Sequence, residues 1–156
     1  MENALLESND AMVSIDQVAK ALAPYRVVFT PKGLYLLNKG EPSVMGNMIG
    51  MQFGLLGMLI SYIVRRVKLN KLKNDPRRQN MAMLSPDEIV AQDPKSVKLV
   101  YEEIANYKTQ NFLMHYRGLR PIFIKTMQRM HRVYLPKIAY EQALTLLEQY
   151  CPGKKN

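Results

Sequence analysis

Side chains able to do chemistry are few in this 156-residue chain, and their spacing does not assemble a reaction centre. The only histidines are His115 and His131, and neither stands at metal-ligand spacing from the other or from Cys151. A zinc or soft-metal site draws on three or four such donors, so no metal is expected. His131 falls in "MQRMHRVYL" among basic groups, where it reads as a strand-surface histidine. Asp87-Glu88 and Glu102-Glu103 are adjacent carboxylate pairs. Neighbouring residues point to different faces of a helix or strand, so neither pair makes an acid/base couple. No HExxH, GxSxG, phosphate-binding glycine loop or GxGxxG occurs. The lone Cys151 cannot close an internal disulfide and reads as a packing residue, which allows a reducing compartment. Met45, Met48, Met51 and Met58 offer soft sulfur atoms, but deformable apolar filling explains them. No catalytic residue and no cofactor are assigned, and enzyme activity is not expected.

The informative features are charge and hydropathy. Residues 44–64, "VMGNMIGMQFGLLGMLISYIV", form 21 positions without a charge. As a helix they would extend about 31 Å, close to the hydrocarbon thickness of a bilayer. Gly46, Gly50, Gly54, Gly57 and Ser61 fall within roughly an 80° arc at 100° per residue. Such a small-residue groove lets a second helix approach closely, so self-association through this helix is expected. The other reading is a core helix of a soluble fold. Its difficulty is that an apolar cylinder must be covered all round, and a chain of this size has few elements to cover it.

A basic run follows. Arg65, Arg66, Lys68, Lys71, Lys73, Arg77 and Arg78 face only Asp75 across residues 65–78, giving +6 of the chain's +9. Beside an anionic leaflet each cation contributes ~1 kcal/mol before screening, so anionic phospholipid is the expected partner. The positive-inside rule puts this run on the cytoplasmic side of the inner membrane. Nucleic acid is disfavoured, because no aromatic is interleaved between 65 and 80 and no nucleic-acid-binding signature accompanies the run. A protein partner of unknown identity remains open. The "MENALLESNDAMVSIDQ" start has four acids and no basic n-region, so no secretory signal is expected.

The surrounding elements read as one interrupted domain. Residues 1–24 are an acidic leader plus a short helix, with Ser14 and Gln17 as a capping box and Pro24 as the stop. In "YRVVFTPKGLYLLNKG", Tyr25, Val27 and Phe29 alternate with Arg26, Val28 and Thr30, and Pro31-Lys32-Gly33 supplies a hairpin turn. Ser85-Pro86-Asp87-Glu88 starts a short helix that Asp93-Pro94 ends. Val97, Leu99 and Tyr101 alternate as a strand, "NFLMHYRGLRPIFIKTMQ" offers two strands around Arg117-Gly118, and "HRVYLP" offers another. Tyr140, Ala143, Leu144, Leu147 and Cys151 stripe a C-terminal helix, and 152–156 is a tail. The domain boundaries are thus 25–151, interrupted by 44–64 and 65–78.

The order of "YRVVFTPKGLYLLNKG", "VYEEI", "RPIFIKT…HRVYLP" and "AYEQALTLLEQY" resembles the pleckstrin-homology-like domains of prokaryotic membrane-associated proteins. The resemblance implies an α+β fold with a small antiparallel sheet, a C-terminal helix and, here, an inserted glycine-rich apolar helix. It also implies a lipid- or protein-binding module and assigns no ligand residue. A single bilayer crossing by 44–64 would separate the 25–38 hairpin from the later strands. One sheet, with the apolar segment as an excursion from it, is therefore expected. Two functions stand: a non-catalytic membrane-associated module, or a soluble homo-oligomer whose glycine-faced helices pack between protomers and whose basic surface binds protein or nucleic acid.

Overall fold

The computed structural model describes residues 3–15, 22–39, 83–109 and 118–156. In chain order the elements are β1 (Leu6–Ile15), β2 (Ala23–Thr30), β3 (Gly33–Asn38), α1 (Pro86–Gln92), β4 (Val97–Leu99), a 3-10 turn (Tyr101–Glu103), β5 (Ile104–Thr109), β6 (Arg120–Thr126), β7 (Met130–Leu135) and α2 (Lys137–Tyr150). All seven strands join one antiparallel sheet in the order β4-β3-β2-β1-β7-β6-β5.

That order forces the sheet to curl. Strands β4 and β5 sit at its two edges, yet only residues 100–103 separate Leu99 from Ile104. Such a link reaches about 17 Å, whereas a flat seven-stranded sheet is about 29 Å across. The result is a half-barrel. Within that link, Tyr101 donates its hydroxyl to the carbonyl of Thr30, the last residue of β2, at 2.8 Å.

Helix α2 fills the concave side. Ala143, Leu147 and Cys151 are fully buried against inward residues of the strands, among them Val13, Val27, Ile104 and Ile122. On the opposite face α1 packs over β2 and β3, with Ile89 on Val28, Tyr35 and Leu37. The α1 start is as the sequence predicts: the Ser85 hydroxyl accepts from the Glu88 N–H, and the Glu88 carboxylate accepts from the Ser85 N–H at 2.7 Å. At the β2–β3 turn the chain passes close to β4, so that a Cβ on Gly33 would lie 2.6 Å from the Leu99 carbonyl oxygen.

Several expectations are corrected. The small pleckstrin-homology-like sheet with an inserted apolar helix gives way, among the described residues, to a seven-stranded half-barrel with two helices. Among the described residues no helix is long and apolar enough to cross a membrane, and segment 44–64 lies outside them. Residues 6–15, read as leader and cap, are β1. Leu6 and Ser8 face inward, then a bulge between Ser8 and Ala11 resets the alternation to Ala11, Val13 and Ile15. The irregularity hides the period-2 signal from inspection. Tyr101 turns inward from a 3-10 turn rather than from a continuing strand.

One sheet holds both the 23–38 hairpin and the later strands: β3 pairs with β4, and β1 joins β2 to β7. A chain crossing a bilayer once between residues 39 and 83 would place β3 and β4 on opposite sides, and their ladder rules that out.

Candidate anion-binding surface

Strands β5, β6 and β7 lie in an acid-free stretch of the chain. Residues 104–140 contain seven lysines and arginines and no aspartate or glutamate. The register gathers part of that charge on one face. Phe123 has Lys108 as its Cα partner on β5 and Arg132 on β7. Lys125 lies two residues along β6, so it shares the face. Cross-strand neighbours stand about 5 Å apart and same-face neighbours along a strand about 7 Å. Three cationic residues therefore flank Phe123 on one face of the sheet.

None of Lys108, Lys125 or Arg132 has a carboxylate partner among the described residues, whose ion pairs are Arg26–Glu7, Lys98–Asp87, Arg120–Glu141 and Lys155–Glu148. Lys108 and Lys125 are exposed. The Arg132 guanidinium lies 5.7 Å over the Phe123 ring. Its Nε is buried without a hydrogen-bond partner, and so is Oγ of Ser14, its cross-strand neighbour on β1. Unpaired like charges at this spacing repel, and a bound oxyanion relieves the repulsion while accepting from these donors.

The face is built for charge rather than stacking. Phe123 is only 7% exposed and Tyr134 9%, so neither offers a ring to a nucleobase.

Elsewhere the titratable groups are held in structural roles. Lys98 donates to Asp87 Oδ1 at 2.8 Å, Tyr35 donates to the same oxygen at 2.9 Å, and the ammonium sits 5.0 Å from the Tyr35 ring centre. The Lys98 hydrogen bond holds the Asp87 carboxyl below its ordinary range, and Asp87 in turn raises Lys98. A carboxylate and ammonium locked this way are poor general base and poor nucleophile. The trio fastens α1 to β3 and β4. Cys151 is 1% exposed, burial raises its thiol pKa, and its Sγ donates to the Tyr101 carbonyl at 3.8 Å. It packs, as read from the sequence. His131, expected on a strand surface, is 2% exposed on the core face of β7. Among the described residues no cluster of His, Cys, Asp and Glu could hold a metal ion.

Of the residues singled out from sequence, Gly46, Gly50, Gly54, Gly57 and Ser61 lie outside the described residues. So do Arg65, Arg66, Lys68, Lys71, Lys73, Arg77 and Arg78, and His115. The cations of β5–β7 were not singled out. The acid-free stretch 104–140 is the signal that finds them.

No family model matches the chain, and no curated protein matches it. A solved structure with a similar backbone course is the C-terminal domain of an unknown protein from Leishmania infantum, at 12% identity and a TM-score of 0.45, covering 96% of this chain and 84% of that one.

Proposed function

We propose that this protein is a non-catalytic module that holds anionic phospholipid surfaces, working at the cytoplasmic face of the inner membrane. The observation that carries the reading is the face of Lys108, Lys125 and Arg132, three cations without carboxylate partners among the described residues, in an acid-free stretch. A headgroup phosphate supplies the oxygens those donors lack, and a charged leaflet engages several of them at once. The uncharged 44–64 segment and the basic 65–78 run extend the same chemistry along the chain. In this reading the first inserts at the interface and the second adds contacts to headgroups. Buried Phe123 favours headgroups over single-stranded nucleic acid, whose binding draws on exposed rings.

Co-sedimentation of the full chain with vesicles tests the proposal. Binding to phosphatidylcholine vesicles containing phosphatidylglycerol, weak binding to phosphatidylcholine alone, and a fall in binding with added salt are expected. Equal recovery in the supernatant with both vesicle types would overturn it.

A further inference from the structure

The hairpin joining β6 to β7 carries a residue that its fold does not require. Thr126 and Arg129 close it: the Thr126 N–H donates to the Arg129 carbonyl at 2.9 Å, and the Arg129 N–H donates to Thr126 Oγ1 at 3.1 Å. Met127 and Gln128 are the two residues left at the apex. Two-residue hairpin loops favour Asn-Gly or other glycine-containing pairs, so turn chemistry does not account for methionine there. Met127 is 95% exposed, the most exposed of the large hydrophobic residues described. Exposed Lys125 and Arg129 stand two residues to either side of it.

A second observation concerns where the chain leaves the sheet. The pairings Asn38↔Tyr25, Val13↔Ala23 and Ile15↔His131 place the C-terminal end of β3 at the same end of the sheet as this turn. Residue 39 therefore sends the chain toward the uncharged 44–64 segment from the end at which Met127 projects. Ile138, 74% exposed, follows β7 at the opposite end.

We infer that the 126–129 turn is a membrane-docking tip: Met127 enters the acyl boundary of an anionic bilayer while Lys125 and Arg129 bind the surrounding phosphates. An apolar side chain with cations just behind it matches the layering of the interface, hydrocarbon below and phosphate above. The inference rests on the membrane reading and adds to it an orientation, with the end of the sheet bearing the turn facing the lipid.

The chain contains no tryptophan, so Met127→Trp makes a single fluorescent reporter at a site whose exposure leaves folding unaffected. On vesicles of phosphatidylcholine with phosphatidylglycerol, its emission should move to shorter wavelength and be quenched by brominated acyl chains. Ile138→Trp should do neither. Met127→Asp should weaken vesicle binding by about tenfold, from the lost burial of one apolar side chain. Full binding by Met127→Trp with its emission unmoved, or full binding by Met127→Asp, overturns the docking tip and leaves the membrane module standing. Failure of the unsubstituted chain to bind these vesicles overturns both.

Discussion

Neutralising Lys108 and Lys125 together gives the sharpest measurement of the cationic face. Both side chains are exposed, neither has an ion pair among the described residues, and both flank Phe123 on one side of the sheet. Their separations of about 5 and 7 Å from that centre lie inside the Debye length of ~8 Å at physiological salt, so a leaflet meets them as one patch. Each cation close to an anionic surface contributes ~1 kcal/mol, or about fivefold in affinity. Lys108→Gln/Lys125→Gln should thus weaken binding to anionic vesicles by about 25-fold. Folding should be indifferent or gain slightly, because two unpaired like charges disappear; urea midpoints should change by less than about 0.5 kcal/mol equivalent. Lys137→Gln, exposed at the start of α2 and at the opposite end of the sheet from the 126–129 turn, serves as the control. Vesicle titration at two ionic strengths reads both the loss and its salt dependence. If the double variant binds within twofold of the parent, or no worse than the control, the assignment of this face is wrong.

Other outcomes follow from the packing. Leu147→Ala should cost about 2–5 kcal/mol in denaturant unfolding, since Leu147 is fully buried at the centre of the α2 contact. Gly33→Ala drives a methyl to 2.6 Å from the Leu99 carbonyl and should cost about 1–3 kcal/mol, read as a lowered melting temperature. Asp87→Asn should lose less than about 1 kcal/mol at neutral pH, because the Asp87 side chain is 56% exposed and the pair is screened. Its sign against pH is fixed. The folded-state pKa is depressed, so the contribution is present above the ordinary carboxylate pKa and vanishes as pH falls through the depressed value. Parent and variant stabilities should therefore converge in acid, below about pH 4.

Local chemistry was legible wherever one element carried its own complete signal. Pro31-Lys32-Gly33 between alternating strands, the Ser85/Glu88 box and the Tyr140–Leu147 stripe all describe structure that forms where they stand. Strand β1 was not legible, because its bulge interrupts the alternation that marks a strand. The 3-10 turn was missed because Tyr101 points inward in either conformation. The cationic face failed for a different reason. Lys108, Lys125 and Arg132 come from three strands, and only the β5–β6–β7 register sets them around Phe123. Spacing along the chain holds no trace of that geometry, although the missing acids between 104 and 140 pointed to the region.

The place of β1 also governs how the chain comes to be folded. Met12 lies opposite Tyr134, so the seam at the middle of the sheet joins the opening strand to the last one. The β2–β3 and β6–β7 hairpins can zip as soon as each emerges, but the seam must wait for β7 (Met130–Leu135), far along the chain from β1 (Leu6–Ile15). Such a distant closure slows folding relative to helical proteins of this size. Until it occurs, each half leaves the strand next to the seam with an open edge, where pairing with another nascent copy competes with the native match.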